Sequence, residues 1–181
     1  MQSKYVAINP EIIISAQNGN IDDFENIVSY YEKPVFNFIY RMVGNAVDSA
    51  DLTQEVFIKL YLNLHRYDPE KKFSTWLFTI VQRTVFDWLR KKRRSKELLV
   101  VDDPKKFVEP AAEKDHSFAN KIDVEKAFSH LKEKYKAVLM LYYWQGYNHQ
   151  EIAEILHRPM NTVKTLMRRA KQAFKQEIGT Y

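Results

Sequence analysis

The spacing of the apolar residues constrains this chain more than any other feature. Between Asp22 and Met42, the residues Phe24, Ile27, Val28, Tyr31, Val35, Phe38, Ile39 and Met42 recur three or four apart. That period lines up side chains along one face of an α-helix. It returns in Val56, Phe57, Leu60 and Leu64, and in Trp76, Leu77, Ile80, Val81, Thr84 and Trp88. Further on it returns in Phe118, Ile122, Phe128 and Leu131, and then in Tyr135, Val138, Leu139 and Tyr142. Only four glycines and six prolines punctuate 181 residues, too few for a turn-rich β fold. The expected fold class is all-α.

The breakers divide the chain. A short helix over Ile12–Gln17 ends at Asn18-Gly19-Asn20, and Gly44-Asn45 closes the next one. Pro34 is expected to kink or locally break that second helix, because it has no N–H to give. The polar run His65–Lys72, with Pro69, reads as a loop. Ser74 is the expected N-cap of a helix reaching about Lys92. Its outer stripe is Thr75, Thr79, Gln82, Arg83, Phe86 and Arg90. From Ser95 to Ser117 the period fades, and Pro104, Pro110 and mixed charges suit a flexible linker. Two small helical domains follow, 1–94 and 118–181, joined by 95–117.

Several function classes fall away. No apolar run approaches the roughly 20 residues of a membrane span. Met1–Pro10 has no charged start followed by an apolar signal core, so the expected location is the cytoplasm. Without cysteine there is no disulfide, thiolate metal site or cysteine nucleophile. His65, His116, His130, His149 and His157 show no metal-ligand spacing, and no phosphate-cradling glycine loop occurs. No catalytic residue, metal or cofactor is expected.

Charge is segmented. Residues 1–65 carry a net −4, 66–95 a net +6, 96–131 a net −2 and 132–181 a net +5. Basic segments suit a polyanion, while an acidic segment suits a different partner. Asp48, Asp51 and Glu55, at i, i+3 and i+7, share a helical face distinct from that of Val56, Phe57 and Leu60.

The C-terminal segment holds the sharpest local pattern. Asn148 and Glu151 have the spacing of a capping box, and Ile152, Ala153 and Leu156 then face inward. His157-Arg158-Pro159-Met160 makes a turn, and Asn161 is the expected cap of a second helix. In it Val163, Met167, Ala170 and Phe174 form a buried stripe. Asn161, Thr162, Lys164, Thr165, Arg168, Arg169 and Lys171 remain for the outside. This is a helix-turn-helix whose second helix suits a major groove.

Several stretches then resemble one family. They are Asp51-Leu52-Thr53-Gln54-Glu55-Val56-Phe57 and Phe73-Ser74-Thr75-Trp76-Leu77, with Ile80 and Asp87 following. Glu151-Ile152-Ala153-Glu154-Ile155-Leu156 and Thr162-Val163-Lys164 complete the set. In order and spacing the chain resembles the extracytoplasmic-function sigma factors, the smallest members of the housekeeping-type bacterial sigma family, over about residues 11–94 and 118–178. It differs from the family's usual pattern at Val81, Arg83, Leu166 and in Leu131-Lys132-Glu133-Lys134.

The resemblance implies a non-enzymatic subunit that binds core RNA polymerase and directs promoter-specific initiation. Region two, in 1–94, would bind the polymerase clamp through Asp48, Asp51, Gln54 and Glu55, with Leu52, Phe57 and Ile58 in support. It would also capture the melted non-template strand of the minus-ten element. The residues implied are Arg66, Tyr67, Asp68, Lys71, Lys72, Thr79, Gln82, Arg83, Phe86 and Arg90. Region four, in 118–181, would read the duplex minus-thirty-five element through the outer residues of the helix-turn-helix. An anti-sigma protein is a further implied partner, with the linker letting the domains repack around it. The alternative, a stand-alone helix-turn-helix regulator, leaves the acidic face and the basic helix after Ser74 without a use.

Overall fold

In the computed structural model the backbone is described over residues 8–98 and 118–179, and side chains over 8–95 and 124–179. The described residues are helical and contain no strand. The first half is α1 (Pro10–Gln17), α2 (Ile21–Val43), α3 (Ala46–Asn63) and α4 (Phe73–Leu98). The second is α5 (Phe118–His130), α6 (Glu133–Leu139), α7 (His149–Leu156) and α8 (Met160–Ile178).

Local chemistry sets most boundaries. Asn9, Asn20 and Asn45 each cap the following helix by accepting a backbone N–H with the side-chain oxygen. Gly44 ends α2 in the left-handed conformation (φ 75°), which a side chain would strain. Two expectations fail here. Pro34 does not break α2, which runs unbroken through it. The proline is buried in the core, so packing of the ring offsets the missing hydrogen bond. Ser74 is not a cap. α4 begins one residue earlier, at Phe73, and the Lys72 carbonyl accepts from the N–H groups of Thr75 and Trp76.

α4 also outruns its expected end by several residues, reaching Leu98. The Arg90–Arg94 run therefore lies inside the helix, and the first residues of the expected linker are helical. Residues 99–117 of that linker lie outside the described residues.

In the second half, α6 passes into one π-helical turn, Met140–Trp144. The apolar period of Tyr135, Val138, Leu139 and Tyr142 predicts an ordinary α-helix here. Gly146 (φ 73°) then redirects the chain, and Tyr147 is buried ahead of the α7 cap. The capping box forms in full. The Asn148 side chain accepts from Gln150 and Glu151, and a Glu151 carboxylate oxygen accepts from the Asn148 N–H. α8 starts at Met160 after Pro159, so Asn161 sits in its first turn and does not cap it.

The halves do not stand apart. α4 packs on α7, α2 touches α6, and the buried residues of both halves join into one core. Phe38, Phe78 and Tyr147 form a chain of edge-on rings across the junction, Phe38 to Phe78 at 5.6 Å and Phe78 to Tyr147 at 5.5 Å.

Candidate nucleic-acid interface

Three surfaces matter, and each grows from one helix. On α3, Asp51 and Gln54 are exposed and Ile58 is 60% exposed. Val47 and Leu62, 72% and 63% exposed, extend the same face. At 3.6 residues per turn, Val47, Asp51, Gln54, Ile58 and Leu62 form one stripe in which acidic, amide and aliphatic groups alternate. Val47 and Leu62 were missed in sequence. α3 has more apolar residues than one buried face can hold, and that surplus was the available signal. Leu52 and Phe57 are buried instead, so they brace the helix and do not present themselves. Asp48 pairs with Lys92 at 3.0 Å, and Glu55 pairs with Lys59 at 2.6 Å.

The second surface is the loop after α3 with the outer side of α4. α1 holds this loop: the Gln17 side chain donates to the carbonyls of Leu64 and Tyr67 at 3.1 and 2.8 Å. Tyr67 is buried, its ring edge-on to Phe73 at 5.1 Å and tilted on Trp76 at 5.2 Å. Its hydroxyl donates to the Lys71 carbonyl and closes the loop. Burial, and then the Asp68 charge, pushes the Tyr67 phenol up, so it stays a donor. Tyr67 was expected to face the DNA side; its ring instead shapes the loop from beneath. Arg66, Asp68, Lys71 and Lys72 remain exposed.

On α4, Arg83 and Arg90 are exposed, while Thr79, Gln82 and Phe86 are half-buried. Thr75 was expected on the outside and is buried. α7 packs on α4. Lys72 meets Glu151 at 2.6 Å, and its ammonium lies 5.2 Å from the centre of the Tyr147 ring. Arg83 contacts His157 Nε2 at 2.6 Å. Arginine has only donors, so Nε2 accepts and the imidazole is neutral. Burial, and then Arg83, holds the His157 pKa below its ordinary 6.5. Arg93 reaches Glu133 at 3.3 Å.

The third surface is α8. Val163, Met167 and Ala170 are buried, and Phe174 is half-buried. Asn161, Thr162, Lys164, Thr165, Arg168, Arg169 and Lys171 are all exposed. The Thr165 hydroxyl donates to the Asn161 carbonyl at 2.9 Å, leaving its lone pairs to accept. The Lys171 ammonium lies 5.6 Å from the ring centres of both Tyr142 and Tyr143. A helix with a buried stripe and a cationic, hydroxyl-bearing outer face suits backbone and base-edge contacts in a groove. Among the described residues no group of acidic and histidine side chains is arranged to hold a metal.

Comparison with known proteins decides the family. Residues 27–95 match the family described as Sigma-70 region 2, and residues 121–174 match Sigma-70, region 4. The chain is 30% identical over 176 residues to the ECF RNA polymerase sigma factor SigW of Bacillus subtilis, across 92% of this chain and 94% of that one.

The chain belongs to the extracytoplasmic-function sigma factors.

A second relative of this sigma factor, SigM of Bacillus subtilis, is 28% identical and spans 83% of this chain and 92% of its own length. The fold matches that of CnrH, solved in complex with the cytosolic domain of CnrY, with a TM-score of 0.72 at 18% identity over 94% of this chain and 97% of that one. It also matches the sigma factor RpoE of Bartonella quintana, solved with the anti-sigma factor NepR, with a TM-score of 0.73 at 19% identity. That match covers 87% of this chain and 97% of RpoE. As a sigma factor the protein binds core RNA polymerase and directs promoter-specific transcription initiation. The stand-alone regulator reading is not favoured.

Proposed function

We propose that the three surfaces divide the work of initiation. The α3 stripe, centred on Asp51 and Gln54 with Ile58 beside them, binds the polymerase clamp. Asp48 and Glu55 set its charge, and Leu52 and Phe57 set its shape. The loop Arg66–Lys72 and the α4 stripe Thr79, Gln82, Arg83, Phe86 and Arg90 take the melted minus-ten strand. Asn161, Thr162, Lys164, Thr165, Arg168, Arg169 and Lys171 on α8 hold and read the duplex minus-thirty-five element. The working units are 1–94 and 118–181, with 95–117 between them. The protein performs no catalysis itself, works in the cytoplasm and is held by an anti-sigma partner.

One observation carries this reading. The α3 and α8 faces are exposed together, on separate helices, and they differ in character: acidic and aliphatic on one, basic and hydroxylic on the other. One face suits a protein and the other a nucleic acid. Run-off transcription with core polymerase tests the division. Reversing Asp51 and Glu55 to lysine should abolish assembly at every promoter. Lys164→Ala should weaken only promoters that carry the upstream element. Equal loss from both changes at all promoters would contradict separate roles.

A further inference from the structure

Between Asn161 and Lys171, Leu166 is the one apolar side chain that α8 does not fully bury. It is also a position at which the chain departs from the usual family pattern. Thr162 lies one turn before it, Arg169 one turn after it and Thr165 beside it. With Asn161 these residues line a shallow notch on the surface of α8. Leu166 is half-buried, packed on its inner side against the core, and the other four are exposed.

The two flanks of α8 therefore differ. At 100° per residue, Lys164, Arg168 and Lys171 fall within an arc of about 60°, and Thr162, Leu166 and Arg169 fall within another. The first arc is wholly cationic. The second has an aliphatic group midway along it, with a hydroxyl on one side and a guanidinium on the other.

The chemistry of the notch narrows what fits it. The Thr165 hydroxyl donates its one proton to the Asn161 carbonyl at 2.9 Å. It has no proton left for the acceptors O4 of thymine or O6 and N7 of guanine. What it can offer a base pair is a methyl group and a pair of accepting electrons. In the major groove only the A·T pair presents a methyl group, that of thymine, and its adenine also presents the N6 amino group as a donor. A leucine beside a hydroxyl that only accepts matches both. Cytosine carries hydrogen where thymine carries methyl, so Leu166 gains nothing from it. The core already holds one side of Leu166, so meeting the base costs little further side-chain freedom.

We propose that Leu166 is a specificity-determining residue for the upstream element: with the methyl groups of Thr162 and Thr165, it receives the 5-methyl group of one thymine in the major groove. This rests on the assignment of α8 to the duplex upstream element, and it names the base pair that one part of the helix selects.

The holoenzyme, assembled from the full chain and core polymerase, supplies the test. It first selects duplexes from a pool randomised over the upstream element. Each thymine of the selected element, on either strand, is then replaced singly by deoxyuridine, which removes the 5-methyl group and keeps the base pairing. At one thymine the parent protein should lose about fourfold in affinity. Leu166→Ala should bind the duplexes with and without that methyl group equally. Leu166→Met, which keeps an apolar contact, should retain most of the preference. Each comparison is made within one variant, so a general loss of affinity or stability cancels.

A selected element without thymine would overturn the proposal, as would a parent protein indifferent to every methyl group. So would a methyl preference of the same size in Leu166→Ala. Failure of the underlying assignment looks different. Then Lys164→Ala and Arg169→Ala also leave the sequence selected from the pool unchanged, whereas with α8 reading the element they alter it even if no methyl group matters.

Discussion

The two basic helices, α4 and α8, have similar charge patterns and opposite circumstances. Each has an apolar stripe inside and cations outside. On α8 the outer cations have no acidic partner among the described residues, and the face is open. On α4 four of the cations are engaged: Arg90 with Asp87, Lys92 with Asp48, Arg93 with Glu133 and Arg83 with His157. A basic helix ready for duplex DNA and a basic helix held in reserve look alike until their partners are seen. The difference also suits the two targets. A duplex upstream element is always available, whereas a melted strand exists only after polymerase has arrived.

The largest expected effect comes from breaking α4 on both sides at once. Phe78 packs against Phe38 within the first half and Tyr147 of the second. Phe78→Ala should lower unfolding stability by about 3–5 kcal/mol in a urea titration, since it removes a fully buried ring. Met167→Ala, under α8, should cost about 2–5 kcal/mol. It should leave the distance between the halves narrow as long as the protein stays folded. If the two substitutions loosen the halves equally, α4 is no more coupled to the second half than α8 is.

Next in size is the loss of a reading contact on the open helix. Lys164→Ala or Arg168→Ala should cost about 1–3 kcal/mol where the side chain meets a base edge, and should act alike on all sequences where it meets phosphate. Salt-dependent binding by the holoenzyme separates these outcomes. Arg83→Ala, on the covered helix, should show no effect on duplex affinity and a measurable defect in strand opening.

A smaller effect sits at the hinge of the helix-turn-helix. His157 ends α7 in the left-handed conformation (φ 47°), uncommon for a residue with a side chain. His157→Gly should relieve strain and stabilise the second half by roughly 0.5–1 kcal/mol. It should also remove the Arg83 contact and loosen the junction. The melting temperature should rise while the distance between spin labels at Glu25→Cys and Gln172→Cys, exposed positions on the two halves, broadens, which is the signature of a contact held at local expense.

The smallest effect is a pH dependence of the junction. The His157 pKa is lowered, by burial first and Arg83 second. The neutral ring accepts from Arg83, so this contribution is fully present above pH 6.5 and is lost as the pH falls through the lowered value. Arg83 faces it from α4, and Glu154 and Arg158 flank it in its own turn. Mild acid should broaden the distance distribution of the parent protein and leave His157→Gln unmoved by that route.

Much of this molecule is legible in the amino-acid sequence, for a definite reason. The helices, the Asn148–Glu151 box, the Gly44 stop and the outward residues of α8 all depend on interactions within about one helical turn. Periodicity and capping chemistry report such interactions directly. The family motifs added the partners, because their order along the chain survives any packing. Tertiary structure decided the rest. It kept α2 whole through Pro34, drew the Tyr67 ring beneath its loop, covered Thr75 and left Val47 and Leu62 bare. It also put Lys72 against Glu151 and Arg83 against His157, pairs separated by 79 and 74 residues. No local rule reaches that far. Whether a basic stripe is free or covered depends on which distant surface fits it, and that choice is made only when the two halves share a core.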